Sequence, residues 1–296
     1  MSWILLALSA YTVMAGVGIV DKYFVTRRMP NALAYGFSVG ALGLVFALAI
    51  PFGFSLPSFS VWLATFLSGL IFTASLIMLF WTLERGDVSR VIPTMGALFP
   101  VFTLVLAFFI VGERFDGEIL VVFAVLVASS VLLSISREKG EAPALVVFGG
   151  ASVVALGYAL SSVLAKYAFD HHPFLSSFIW MRLAGGVTAL ALLLVPSWRR
   201  QIFGVINKRE SGKGLLVMVR IAAGAAFITL HYAISIGPVT LVNALKGFEF
   251  AILFITTLLS SKYFPHIVRE SFERKLIAMK SIGIAGIVAG LWMLAS

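Results

Sequence analysis

Long apolar runs alternate with short polar connections along almost the whole chain. Ten of these runs are long enough to cross a hydrocarbon core of about 30 Å as a helix that rises 1.5 Å per residue. They cover Ser2–Val20, Asn31–Ile50, Val61–Leu83, Val91–Val111, Gly117–Ser136, Ala144–Tyr167, Pro173–Val195, Gly214–Ile236, Thr240–Leu259 and Ala278–Leu294. None of the connections is long enough to form a soluble domain. The pattern predicts an all-α polytopic membrane protein with ten transmembrane helices.

The composition supports a membrane protein. Of the 296 residues, 60% are hydrophobic and 12% are charged, whereas soluble domains carry about 25% charged residues. A soluble fold of this composition would leave apolar surface in water, and contact with lipid removes that cost. The chain has no cysteine, which excludes disulfides and cysteine-ligated metal sites. We expect the lipid bilayer as a partner and no cofactor or metal.

Lysine and arginine are concentrated on one side of the predicted membrane. The odd-numbered connections carry most of them, the even-numbered connections carry only Arg114 and Lys166, and neither terminus carries any. We call the side of the odd-numbered connections the basic face and the other side the opposite face. The positive-inside rule places the basic face in the cytoplasm and both termini outside the cell. The net charge of +9 therefore reflects topology in the plasma membrane and requires no nucleic-acid partner.

Short matches between the two halves of the chain suggest an internal repeat. Asp21-Lys22-Tyr23 precedes Pro30 much as Ala165-Lys166-Tyr167 precedes Pro173. Later in each half, Gly86-Asp87-Val88-Ser89 resembles Gly237-Pro238-Val239-Thr240. These matches predict a five-helix unit at residues 1–137 and a second at 138–296. Because five is odd, the two units would be inverted relative to each other around a central cavity, as in many transporters.

In the stretch Gly86–Phe115 a Gly/Ser turn opens a helix, Pro100 lies in its middle, and Gly112-Glu113-Arg114 closes it. This pattern resembles the EamA family of the drug/metabolite transporter superfamily. Pro173 followed by Arg182 is similar to the start of the second helix of each family unit, although the first half has Val39 at the mirrored position. The resemblance implies two EamA-like halves and a transporter of small metabolites rather than an enzyme. Pro93 and Pro100 also predict a bend in the fourth helix.

Lys246 and Glu249 are the first candidate site residues, because they interrupt an apolar span. A charge at the bilayer centre costs roughly 2.5–3.5 kcal/mol on the translocon scale. Residues at i and i+3 share a helix face, and Asn243 extends the same polar stripe by one turn. One interpretation is a mutually neutralising pair that fixes helix packing. The other is a site that contacts substrate or a coupling ion.

Arg182 is predicted near the middle of the seventh helix. Its guanidinium either binds a carboxylate or phosphate of a substrate or pairs with Glu249. Trp180 is a candidate for a cavity wall. His231, deep in the eighth helix, is a candidate proton carrier, although such a histidine more often serves packing. Arg220, nearer the start of that helix, is predicted to snorkel to the interface.

The sequence favours secondary transport, because it contains no phosphate-binding glycine-rich loop and no ATPase module. We expect an exporter or exchanger of amino-acid-like, anionic or zwitterionic small molecules that works by alternating access. A channel or scaffold and a membrane-embedded enzyme are the alternatives. Two Gly-xxx-Gly faces, at Gly36 and Gly40 and at Gly286 and Gly290, allow close packing within the chain or between chains. We expect a monomer or a weak homodimer.

Overall fold

The computed structural model describes residues 2–27, 31–86, 88–134, 144–206, 213–261 and 274–295, and the regular structure in these ranges is helical. The α-helices are α1 Ser2–Arg27, α2 Ala32–Ala41, α3 Phe59–Arg85, α4 Val88–Ile110, α5 Gly117–Ser134, α6 Ala144–His171, α7 Phe174–Ala191, α8 Pro196–Ile206, α9 Lys213–Ile236, α10 Val239–Ala244, α11 Lys246–Ser261 and α12 Arg274–Ala295. The 3₁₀ segments Leu42–Phe52 and Leu192–Leu194 continue α2 and α7. The predicted boundary after residue 137 lies outside the described residues.

The described helices have the dimensions of membrane spans. Eight are long and apolar enough to cross a bilayer, and the two shorter apolar helices Ser2–Gly18 and Gly117–Leu133 stand where spans one and five are predicted. Large apolar side chains on the outer surface, including Leu48, Phe109 and Trp292, are more than 70% exposed. Such an apolar surface is unfavourable in water, whereas lipid chains can cover it. The prediction of an all-helical polytopic architecture is confirmed, while the inverted repeat of ten spans stays a prediction.

Small residues allow the helices to approach closely. α3 packs along α6 and α7, α6 along α4, α1 along α9, and α5 along α12. Ser68 and Ser161 each donate a hydroxyl hydrogen bond to the other's carbonyl, at 2.8 and 2.9 Å, across the buried contact of α3 with α6. Gly40 lies against Ala189, and the face that carries Gly286 packs on α5. Both Gly-xxx-Gly faces therefore pack within the chain.

One helix was not predicted by the pattern of apolar runs. The connection between the seventh and eighth spans contains α8, whose Trp198, Arg199 and Arg200 are exposed while Ile202 is buried. Asn31, at the start of α2, donates a hydrogen bond to Gln201 at 3.4 Å. α8 is therefore an amphipathic helix that lies beside α2 at the basic face.

The predicted ninth span is two helices rather than one. α10 ends at Ala244, Leu245 forms a turn, and α11 begins at Lys246. The Phe248 amide bonds to the Leu245 carbonyl, three residues back, at 2.9 Å. α4 stays helical through both of its prolines. The interruption thus lies at Leu245, in the second-half span that would be the counterpart of α4.

Candidate functional site

A cavity of about 670 Å³ lies between α2 and α9, with α3 and α7 behind it. Its volume falls within the usual range for small-molecule sites. The lining is mostly apolar and includes the rings of Phe46, Phe72 and Phe227. Two charged side chains reach it, Arg182 from α7 and Arg220 from α9, and every other lining residue is uncharged. The cavity is therefore an apolar chamber with a positive wall.

Arg182 has no carboxylate partner among the described residues. Its guanidinium carbon lies 5.0 Å from the ring centroid of Phe227 and 5.6 Å from that of Phe46, distances at which a cation is attracted to an aromatic face. One terminal nitrogen donates a long hydrogen bond of 3.5 Å to the Val39 carbonyl, and the buried Nε has no hydrogen-bond partner within the described ranges. The predicted alternative, a pair with Glu249, is wrong because Glu249 binds Lys246.

Arg182 also stands near the middle of the membrane. It is eight residues from the start of α7, about 12 Å along a helix that rises 1.5 Å per residue. A cation at that depth is costly unless an anion or several hydrogen bonds compensate it. The contacts that the protein supplies are two aromatic faces and one long hydrogen bond. The guanidinium is therefore available to an anionic ligand.

Arg220 is a cavity residue that the sequence reasoning assigned to the interface. It donates a hydrogen bond of 2.9 Å to the Tyr35 hydroxyl, and its guanidinium lies 4.6 Å from the centroid of that ring. A signal for this position exists in the sequence. Arg220, Gly224, Phe227 and His231 follow one another at helical spacing and therefore share one face of α9.

His231 and Trp180 lie outside the lining of this cavity. The buried His231 donates from Nδ1 to the Phe227 carbonyl at 2.9 Å, and its ring centroid lies 4.0 Å from that of Phe227. Arg182 contacts the same ring, so the histidine and the arginine share Phe227 as a neighbour. Trp180 donates from Nε1 to the Ser55 carbonyl at 3.2 Å and so holds the connection between α2 and α3. Of the three predicted residues Arg182, His231 and Trp180, Arg182 alone lines the cavity.

Hydrogen bonds tie the α2–α3 connection to the start of α7 at the opposite face. The Ser55 amide donates to the Ser176 hydroxyl at 3.0 Å, and that hydroxyl lies 2.9 Å from the Ser55 carbonyl, to which it donates. His172 Nε2 lies 3.0 Å from the Ser55 hydroxyl and 3.1 Å from the Ser176 hydroxyl. Together with Trp180, this network fastens the α2–α3 connection to the start of α7.

Lys246 and Glu249 form the ion pair that their spacing predicts, with 2.5 Å between Nζ and Oε2. Glu249 is buried, and Nζ lies 5.6 Å from the ring centroid of Tyr11 on α1. The Tyr11 hydroxyl donates to the Val242 carbonyl at 3.1 Å, next to the break at Leu245. This cluster contributes no residue to the cavity lining. The charge pair and Arg182 are therefore two separate polar sites.

Asn243 belongs to the same stretch but bonds in another direction. Its side-chain amide donates to the Thr103 hydroxyl on α4 at 3.3 Å, and both residues are buried. The contact ties α10 to α4. The polar stripe predicted on the ninth span thus divides at the turn between α10 and α11.

Gly112-Glu113-Arg114 joins the two halves of the chain at the opposite face. Gly112 has a φ of 73°, a value that favours glycine, and it turns the chain after α4. The two oxygens of Glu113 accept hydrogen bonds from the amides of Val239 and Thr240, at 2.7 and 3.2 Å. Arg114 donates to the Phe108 carbonyl near the end of α4, at 2.8 Å. Glu113 thus caps α10, and its side chain is structural.

Comparison with known proteins identifies the first half. Residues 1–135 match the model of the EamA-like transporter family. Over these residues the chain is similar to the EamA-like transporter family. The resemblance carried by Gly86–Phe115 is therefore confirmed, and it indicates an integral membrane transporter. No curated protein matches the chain.

The fold of the whole chain has a counterpart among solved structures. One crystal structure superposes on this chain with a TM-score of 0.68 at 18% sequence identity. The superposition covers 99% of this chain and 96% of the other. At this identity the likeness shows the fold alone. The fold is therefore shared with a solved structure over nearly the whole length of both chains.

Proposed function

We propose that the protein is a secondary transporter of small anionic or zwitterionic metabolites, and that it acts as an exporter or exchanger in the plasma membrane. One observation carries the proposal. The Arg182 guanidinium lines a mid-membrane cavity, where the part of the chain that the structure describes gives it two aromatic rings and a long hydrogen bond and no carboxylate. A planar guanidinium is well suited to bind a carboxylate or phosphate. A transported anion would compensate the positive charge of the Arg182 guanidinium during each transport cycle.

We further propose that residues 1–137 and 138–296 form inverted five-helix repeats. In such a repeat α2 corresponds to α7, and α3 corresponds to α9. Arg182 donates its long hydrogen bond to Val39, the residue at the mirrored position in the first half. The contact of α1 with α9 likewise corresponds to the contact of α6 with α3. Both contacts support a pseudo-twofold axis between the halves.

One difference between the proposed repeats supports alternating access. α3 packs along α7, whereas the corresponding pair, α9 and α2, is separated by the cavity. If α9 packed along α2 while α3 separated from α7, this cavity would close and a matching one would open between α3 and α7. The hydrogen bonds of Ser55, Ser176 and His172 would break in that transition, because they tie the α2–α3 connection to the start of α7.

Counterflow in proteoliposomes tests the proposed function. Vesicles that contain the purified full-length protein are loaded with amino acids, sugar phosphates or nucleosides and diluted into the same labelled solute. We expect exchange of an anionic or zwitterionic member of this panel, and we expect Arg182→Gln to raise its KM at least tenfold. Arg85→Gln, at an exposed arginine stacked on Trp81, is the matched control. If no solute exchanges in either direction, the protein is not a transporter of these classes.

A further inference from the structure

The cavity is bounded by apolar side chains that face the bilayer. Val45 follows α2, Ile221 lies on α9, and they are 56% and 68% exposed although both line the cavity. Leu42 and Ile228 extend the same two edges. α2 and α9 make their main contacts with other helices rather than with each other. At the depth of Val45 and Ile221, the gap between α2 and α9 therefore opens toward the lipid chains of the bilayer rather than toward water.

The chemistry of the lining selects a particular kind of anion. Among small anions this lining favours those with few further polar groups, because hydrogen-bonding groups left unpaired against Phe46, Phe72 and Phe227 are costly in an apolar chamber. One acid group satisfies Arg182, and an apolar remainder matches the walls. A molecule with a single acidic head and a hydrocarbon tail meets both conditions.

The basic face carries a surface that would concentrate such molecules. α8 lies beside α2 and exposes Trp198, Arg199 and Arg200 while it buries Ile202. Helices of this kind lie in the membrane interface and attract anionic lipid head groups. Arg220 is seven residues into α9 from its start at the same face, about 10 Å along the helix. Cationic groups therefore stand at three successive depths between the interface and Arg182.

We propose that the cavity binds a single-chain anionic amphiphile that enters from the bilayer between α2 and α9. Its carboxylate or phosphate binds Arg182, and its tail lies along the aromatic wall and leaves through the gap into the lipid. The inference rests on the proposed function only in taking this cavity as the substrate site, and binding is measured separately from transport.

The first experiment compares four probes on the full-length protein in phosphatidylcholine nanodiscs, with empty nanodiscs subtracted. Dodecyl phosphate and laurate carry both head and tail, dodecanol lacks the charge, and ethyl phosphate lacks the tail. We expect the first two to bind at least tenfold more tightly than the last two. Arg182→Gln should weaken the binding of dodecyl phosphate at least tenfold, and Arg85→Gln should change it less than twofold.

A second pair of variants leaves both cavity arginines in place. Gly224 lines the cavity, and a Cβ added there would meet no atom within 4 Å, so Gly224→Leu fills the chamber without displacing backbone. Gly149 on α6 is equally unobstructed and lies outside the lining, so Gly149→Leu is its control. We expect Gly224→Leu to weaken the binding of dodecyl phosphate at least tenfold and Gly149→Leu to leave it unchanged.

The outcomes separate this inference from the proposed function. If ethyl phosphate binds as tightly as dodecyl phosphate and depends on Arg182, the amphiphile is wrong and the transport of small anions stands. If dodecyl phosphate binds in an Arg182-dependent way but no solute exchanges in the counterflow assay, the inference stands and the proposed transport function fails. Equal binding of dodecyl phosphate to the wild type, Arg182→Gln and Gly224→Leu would overturn the inference.

Discussion

The contact of Glu113 with the start of α10 gives a quantitative prediction about how the halves are held together. Glu113 accepts hydrogen bonds from the Val239 and Thr240 amides, at 2.7 and 3.2 Å. Both of these residues are fully buried, so water cannot replace the carboxylate. Replacement of Glu113 by alanine leaves two donors unmet, and replacement by glutamine keeps one neutral acceptor oxygen.

The expected losses follow from the number and type of these bonds. A hydrogen bond to a charged group contributes about 1.5–3 kcal/mol, and the loss of a helix N-cap costs about 0.5–2 kcal/mol. The two amides share one carboxylate, so their contributions are not independent. We expect Glu113→Ala to lower the free energy of unfolding by about 2–4 kcal/mol, and Glu113→Gln by about 1–2 kcal/mol.

Unfolding in bicelles by titration with dodecyl sulfate measures the free-energy difference, and hydrogen exchange reports on the two amides directly. The matched control is Glu118→Gln, an exposed carboxylate in the first turn of α5. It should cost less than about 1 kcal/mol. Exchange at Val239 and Thr240 should accelerate only in the Glu113 variants. The reasoning is refuted if Glu113→Gln and Glu118→Gln are equally stable, or if both amides stay protected in Glu113→Ala.

Three further predictions concern contacts inside the bundle. Ser68→Ala should cost about 0.6 kcal/mol and no more than about 1.7 kcal/mol, because it removes one of two reciprocal bonds with Ser161, and a double-mutant cycle measures their coupling. Lys246→Met and Glu249→Gln should each destabilise by about 3–5 kcal/mol, while the double variant recovers at least half of that loss in the same unfolding assay. Gly69→Ala should cost about 1–3 kcal/mol in thermal unfolding, because a methyl group there would overlap the backbone of α7.

Each of these predictions has a control in the same chain. Ser152→Ala removes only a bond within α6 and should be neutral in the cycle. Gly149→Ala should stabilise by up to about 1 kcal/mol, because nothing obstructs its methyl group. An equal loss at Gly69 and Gly149 would contradict close packing of α3 on α7. Normal transport by the neutral Lys246 and Glu249 double variant would show that the pair is structural.

Local patterns predicted much of this molecule. The apolar runs predicted its spans because span length is set by bilayer thickness. The pairing of Lys246 with Glu249 followed from i, i+3 spacing, which needs no knowledge of other helices. α8 was missed because its polar face made it read as a charged connection. The break at Leu245 was missed because apolar residues continue on both sides of the polar stripe and neither proline nor glycine stands at Leu245 itself.

The remaining site features depend on contacts between distant parts of the chain. Arg182 bonds to Val39, and Glu113 bonds to the Val239 amide, so neither partner is visible in the local sequence. Arg220 was assigned to the interface from its distance to the end of the helix. Its direction toward the cavity depends on the rotation of α9 against its neighbours. Tertiary packing decided these positions, and local pattern could not.

The turn at Leu245 places a helix N-terminus inside the membrane, which makes the two charges of the ion pair unequal. The aligned peptide dipoles of α11 give its first turn a partial positive charge. Glu249 lies in that turn and is stabilised by it, whereas Lys246, the first residue of α11, is repelled. Glu249 would therefore keep a favourable field if the lysine were lost, whereas Lys246 without the glutamate would keep the Tyr11 ring but face the unfavourable dipole. The position of Lys246 therefore depends on Glu249, whereas Glu249 is also stabilised by the dipole of α11.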